Sequence, residues 1–176
     1  MATPALAFAH LATEIEAEGL TPKNGERVAA ELAKGFNVKS DEIAILRLDK
    51  QNLLFVYPSK LHNVGTIPLN TSTSVAARTA NTKRAEVINN FAQIKHASIF
   101  EAVDLGNKPA TDSTEDKRAH IIQKLMSVPV TGPAGVAGIL QVSRKGASGP
   151  SAGPDFTPMD LQKLVAIAGA LAKCFK

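Results

Sequence analysis

The stretch from Ile121 to Lys145, IIQKLMSVPVTGPAGVAGILQVSRK, sets the terms for the rest of the chain. It reads as two apolar strands, Gln123 to Val130 and Val136 to Arg144, joined by Thr131-Gly132-Pro133-Ala134-Gly135, residue types that tight reversals need. Side chains alternate between the two faces of a strand, so Val136, Gly138, Leu140 and Val142 share one face and Ala137, Ile139, Gln141 and Ser143 the other. Both sets are largely apolar. A strand of that kind needs cover on both sides, which predicts a central hairpin between two layers.

The flanking segments supply candidates for those layers. Pro4 to Glu18 puts Phe8, Leu11, Ala12 and Ile15 at helical spacing and stops at Gly19. Thr21-Pro22 then opens a second helix to about Lys34, with Val28, Ala29, Leu32 and Ala33 on its stripe and Gly35 as the stop. Glu42 to Leu48 and Leu53 to Tyr57 form a turn-bounded pair of strands. Pro58 to Asn70 is rich in breakers and reads as a loop or a short strand. Thr71, Ser72, Thr73 and Ser74 put four hydroxyls before a short helix, Val75 to Ala80, and Val87 to Asn89 is a further short strand. Lys95 to Val103 reads as a short helix, Asp104 to His120 as a polar mobile loop, and Gly146 to Pro154 as a loop of no fixed shape. Thr157-Pro158-Met159-Asp160 starts a last helix whose stripe is Leu161, Leu164, Val165, Ala168, Leu171, Ala172 and Phe175.

Composition narrows the class. A chain of 176 residues with 44% hydrophobic and 20% charged residues can bury a core without metals or disulfides. The single cysteine, Cys174, cannot form an internal disulfide, so the cytoplasm is the expected compartment. The first residues carry three glutamates and no basic lead-in, which suits an amphipathic helix better than a signal peptide. No apolar run approaches the roughly 20 residues that span a bilayer. The net charge of +4 is spread along the chain, so neither a nucleic-acid nor a membrane partner is expected.

The order helix, hairpin, irregular segment, second hairpin and terminal helix resembles the GAF domain, a small-molecule-sensing relative of the PAS fold. The resemblance is carried by Gly65-Thr66-Ile67-Pro68-Leu69 leading to Val75-Ala76-Ala77-Arg78-Thr79-Ala80-Asn81, by Leu125 to Val130, by Gly135 to Val142 with its G-x-x-G-x-L pattern, and by Phe156-Thr157-Pro158-Met159-Asp160-Leu161. It implies an α+β fold: a central antiparallel sheet with the N- and C-terminal helices on one face, and short helices and loops over a pocket on the other. Residues 1–176 would form one domain, with helices in 1–36, sheet and pocket in 42–145 and the last helix in 157–175. The terminal helices of such domains commonly pair with a second copy, so a homodimer is expected, as is a signalling partner protein.

The candidate site follows from both lines of reasoning. Hydroxyls at a helix start with Arg78 one turn in, and Lys83 and Arg84 beyond, can hold an anion; plain capping with solvated polar residues is the favoured reading of any single one. By resemblance this segment is the pocket wall, with Thr71, Ser72, Thr73, Ser74 and Arg78 as ligand contacts and Phe91, Ile99 and Phe100 as apolar lining. His62 and His96 lack any metal-ligand spacing, so no metal is expected. Bilin attachment needs a cysteine beside the pocket, and free methionine sulfoxide reductases on this fold use several cysteines. One cysteine near the terminus argues against both, and the residue set of cyclic-nucleotide GAF domains is not recognisable in order. The expectation is a non-enzymatic sensor that binds an unidentified small molecule. The alternatives are an adaptor or dimerisation module with a closed pocket, or a DNA-associated regulator built on the helix-turn-helix-like run Gly19 to Ala44.

Overall fold

The structure, a computed structural model, describes residues 4–59, 66–71, 74–91 and 121–175. In chain order its elements are α1 (Pro4–Ile15), α2 (Pro22–Phe36), β1 (Ile43–Asp49), β2 (Asn52–Tyr57), β3 (Thr66–Pro68), α3 (Val75–Thr82), β4 (Glu86–Ile88), β5 (Ile122–Gly132), β6 (Gly135–Lys145), α4 (Gly149–Ala152) and α5 (Pro158–Leu171). The strands form one six-stranded sheet in the order β3-β2-β1-β6-β5-β4, and every neighbouring pair is antiparallel. The fold is α+β, with the predicted hairpin as β5 and β6. Its reversal is Pro133-Ala134 between the paired Gly132 and Gly135, and Gly135 takes φ +116°, which favours glycine.

Because both faces of this hairpin are apolar, two cores form on one sheet. On one side Met126, Val128, Val130, Leu140 and Val142 meet Ile43, Ile45 and the buried stripes of α1, α2 and α5. On the other, Leu125 and Ile139 join Ala44, Leu46, Leu53 and Phe55 beneath α3. A bulge between Ile122 and Lys124 shifts the alternation, so that Ile122 and Leu125 both point to the α3 side. The terminal helices thus lie together on one face and α3 on the opposite one. α1 packs along α5, and Cys174 Sγ, fully buried, donates to the Ala12 carbonyl oxygen at 3.4 Å.

The helix ends differ from the sequence expectation in instructive ways. α1 stops at Ile15, whose carbonyl oxygen accepts from Gly19 N–H at 2.8 Å. α2 runs through Gly35 to Phe36 and stops on Asn37, which takes the left-handed conformation at φ 53°. Its last carbonyls are held by cations from two other elements. Arg144 of β6 donates to Phe36 O and Asn37 O at 3.2 and 3.3 Å, and Lys163 of α5 donates to Gly35 O with its ammonium 4.6 Å from the Phe36 ring centroid. On α5 the buried stripe is Leu164, Ile167, Ala168 and Leu171; Val165 faces outward at 46% exposure, about 100° round the helix from Leu164. The Gly146 to Pro154 stretch is not shapeless, since Ser148 and Ser151 cap one another at α4. The helix-turn-helix reading fails on topology: after α2 the chain enters β1, where a second helix would be required. Lys95 to Val103 and Asp104 to His120 lie outside the described residues.

At Gly138 there is no room for a side chain: an added Cβ would lie 2.4 Å from both the Leu46 carbonyl oxygen of the neighbouring strand and the Phe175 ring. Gly138→Ala is expected to cost about 1–3 kcal/mol through overpacking, read as a lower urea midpoint at unchanged m-value.

Candidate functional site

The α3 face is built from short, polar-capped pieces laid over the apolar floor of the sheet. β3 ends in a turn in which Thr71 N–H donates to Pro68 O at 3.0 Å, and Asn81 Nδ2 donates to Leu69 O at 2.6 Å, so the end of α3 is tied back to that turn. Ser74 is the N-cap: its buried hydroxyl oxygen accepts from Ala77 N–H at 3.2 Å. Of the four hydroxyl residues expected at the helix start, Thr71 is half-buried and Ser74 is committed to the cap, while Ser72 and Thr73 lie outside the described residues.

Arg78 is exposed and its guanidinium is engaged. Nε donates to Glu86 Oε1 at 2.8 Å and Nη2 to Oε2 at 2.6 Å, a two-point pair that joins α3 to β4. These hydrogen bonds raise the Arg78 pKa above its ordinary value, against the smaller opposing effect of partial burial. Phe91 is buried at 1% exposure in the core under α3. Ile99, Phe100, His62 and His96 lie outside the described residues. Among the described residues no cluster of three or more His, Cys, Asp or Glu could hold a metal ion.

The polar centre of this face is a group that periodicity did not single out. Ser127 of β5 stands opposite Gln141 of β6, which stands opposite Ala44 of β1, all on the α3 side of the sheet. Gln141 Nε2 donates to Ser127 Oγ at 3.2 Å, Thr79 Oγ1 lies 2.7 Å from Ser127 Oγ, and Thr79 Oγ1 bonds to the Val75 carbonyl oxygen at 2.8 Å. The carbonyl can only accept, so the protons run one way: Gln141 to Ser127, Ser127 to Thr79, Thr79 to Val75. Thr79 and Ser127 are fully buried and Gln141 is 4% exposed. Such a chain is stable only while complete, because the local dielectric strengthens each bond and penalises each vacancy. Its one signal in the sequence is a polar residue at an inward position in each of two apolar strands, in direct register.

A cleft of about 330 Å³ opens elsewhere. It is lined by the α1–α2 connection, Glu18 to Pro22, and by Arg47, Leu54, Phe55 and Val56, on the side of the sheet where Val56 packs under α2. It shares no lining residue with the expected pocket wall.

Known structures share this architecture. The GAF domain of a phosphoenolpyruvate-protein phosphotransferase from Acinetobacter is similar over 99% of this chain and 94% of its own, with a TM-score of 0.65 at 15% identity. The corresponding GAF domain from Coxiella burnetii is similar over 96% and 90%, with a TM-score of 0.63 at 11% identity. Free methionine-R-sulfoxide reductase from Neisseria meningitidis, solved with its substrate, is similar over 99% and 92%, with a TM-score of 0.58 at 17% identity. No protein-family model matches the sequence, and no curated protein is similar to it. The reductase corrects one expectation. The single cysteine led to the expectation of a non-enzymatic sensor, yet free methionine-R-sulfoxide reductases share this architecture over nearly the whole length, so the fold does not separate sensor from catalyst.

Thr79→Val is expected to cost about 1–3 kcal/mol by leaving the Ser127 hydroxyl without an acceptor, and in a urea double-mutant cycle with Ser127→Ala, which orphans Gln141 Nε2, the double variant should cost less than the sum of the two single ones. A six-stranded antiparallel sheet, terminal helices behind it, a capped short helix in front and full-length likeness to solved GAF domains lead to one conclusion: the chain folds as a GAF-like domain.

Proposed function

We propose that residues 1–176 act as one regulatory domain in the cytoplasm that binds a small molecule on the α3 face of the sheet. The response would leave through α1 and α5, toward a second copy or a signalling partner. The observation that carries this reading is the make-up of that face: a short capped helix, α3, laid over an apolar floor, with the buried Thr79, Ser127 and Gln141 chain fixing where the helix sits. Apolar lining with a few placed polar groups is the usual make-up of a small-molecule site. Thr71, Ser72, Thr73, Ser74 and Arg78 are assigned to the wall, and Phe91, Ile99 and Phe100 to the lining. The Arg78–Glu86 pair supports a rim position for Arg78, since its charge is already balanced. Likeness to GAF domains of phosphotransferases supports regulation, and likeness to a reductase solved with its substrate supports a small-molecule site without fixing what happens there.

One observation favours a second reading, an adaptor with a closed pocket. Ala77, Thr79 and Phe91 are within 1% of full burial, so this part of the face is already filled.

A thermal-shift screen separates the two. Nucleotides, cyclic nucleotides, haem, organic acids and amino acids, with free methionine sulfoxide among them, would be titrated against the full chain. One class is expected to raise the melting temperature with concentration, since native-state binding at 100 times Kd adds about 2.7 kcal/mol. No response from any class would favour the adaptor, and turnover of methionine sulfoxide would replace the sensor by an enzyme. For the output surface, the outward α5 residues Met159 and Val165, at 79% and 46% exposure, are the test. Light scattering is expected to give twice the chain mass for the wild type and the chain mass for Val165→Glu; a monomeric wild type removes the dimer.

A further inference from the structure

The edge strand β4 ends at Ile88, and the chain just beyond it bridges the two cores. Ile88 and Phe91 are buried under α3. Between them the Asn89 side chain turns the other way: its Oδ1 accepts from Phe156 N–H at 2.9 Å and its Nδ2 donates to Phe156 C=O at 3.1 Å. A single side-chain amide thereby holds both backbone groups of one residue, as a neighbouring strand would, and two bonds fix orientation as well as distance. Phe156 is 3% exposed in the core behind the sheet and immediately precedes Thr157, the cap of α5.

Two other groups help to place this junction. The Arg144 guanidinium lies 4.8 Å from the Phe156 ring centroid, and the Lys124 ammonium bonds to Gly153 O at 2.6 Å and to Asp155 Oδ1 at 2.7 Å. Both belong to the long β5–β6 hairpin, which is held along its length by the strand ladder. Asn89 instead sits in a turn past the end of a three-residue edge strand, so its side chain, not a strand ladder, makes the link to Phe156.

We propose that Asn89 is a coupling residue: a change on the α3 face, felt at Phe91, reaches the start of α5 through the Asn89–Phe156 pair. The proposal rests on the α3 face being the ligand face, and it names the route by which occupancy there would bias the terminal helices. Coupling of this kind requires a contact that both sites perturb, and this one lies two residues from the Phe91 ring and one residue from the α5 cap.

The test uses the full chain labelled with nitrogen-15, and a substitution in place of a ligand. Amide chemical shifts would be compared in the wild type, Phe91→Leu, Asn89→Ala and the double variant. Phe91→Leu is expected to move the resonances of Phe156 to Leu161, and that response should fall by about half or more once Asn89 is alanine. An unchanged response in the Asn89→Ala background, or no response to Phe91→Leu, overturns the proposal. Asn89→Asp keeps the acceptor and loses the donor; it replaces the alanine variant if that chain does not fold, with partial loss expected and an unaltered response counting against. Because no ligand enters, the results separate cleanly. A coupled cycle alongside a silent thermal-shift screen supports the route and removes only the sensor, whereas an uncoupled cycle overturns the route even where a ligand binds.

Discussion

Burial of the β5–β6 hairpin on both faces is the constraint from which the rest follows. A sheet that is apolar on one side can leave the other to water; this one cannot. The chain therefore carries two sets of covering elements, and they are unlike. Three amphipathic helices supply large side chains behind the sheet, while α3 in front supplies mostly alanine, threonine and valine over the Phe55 and Phe91 rings. Among the described residues, the larger covering side chains lie behind the sheet and the smaller ones in front.

The polar groups are distributed to match. Behind the sheet they sit at the margins, as cations on the last carbonyls of α2 and as Lys124 held by the loop around Gly153 and Asp155. The cations on α2 satisfy carbonyls that the helix end would otherwise leave unpaired. In front, the polar chain of Thr79, Ser127 and Gln141 occupies the middle of an apolar field. A wholly apolar replacement of that chain could pack as well, so its presence specifies where α3 sits more than it adds to stability.

Much of the fold was legible because its signals are local. The β5–β6 hairpin, the Thr21 and Thr157 caps and the α1 stripe are each written within a few residues, and each matches the structure. Errors arose where tertiary contacts overrule local preference. Gly35 looks like a helix stop, yet α2 passes it to Phe36 and ends on Asn37, with Lys163 and Arg144 bonded to its last carbonyls. Val165 looks like core, yet packing on α1 and β5 selects Ile167 instead. The front face was the least legible part. Arg78 carries no mark that it will meet Glu86 on β4, and Ser127 and Gln141 become partners only through the strand register. Asn89 shows the same limit, since its partner lies 67 residues away.

The contact of Lys163 with the end of α2 joins two helices that are far apart in the sequence. Lys163 donates to Gly35 O and its ammonium lies against the Phe36 ring, while Leu164, Ile167, Ala168 and Leu171 of the same helix are buried behind the sheet. α5 is therefore held by packing along its length as well as by this bond, and with α1 beside it the three helices make one bonded layer rather than separate rods.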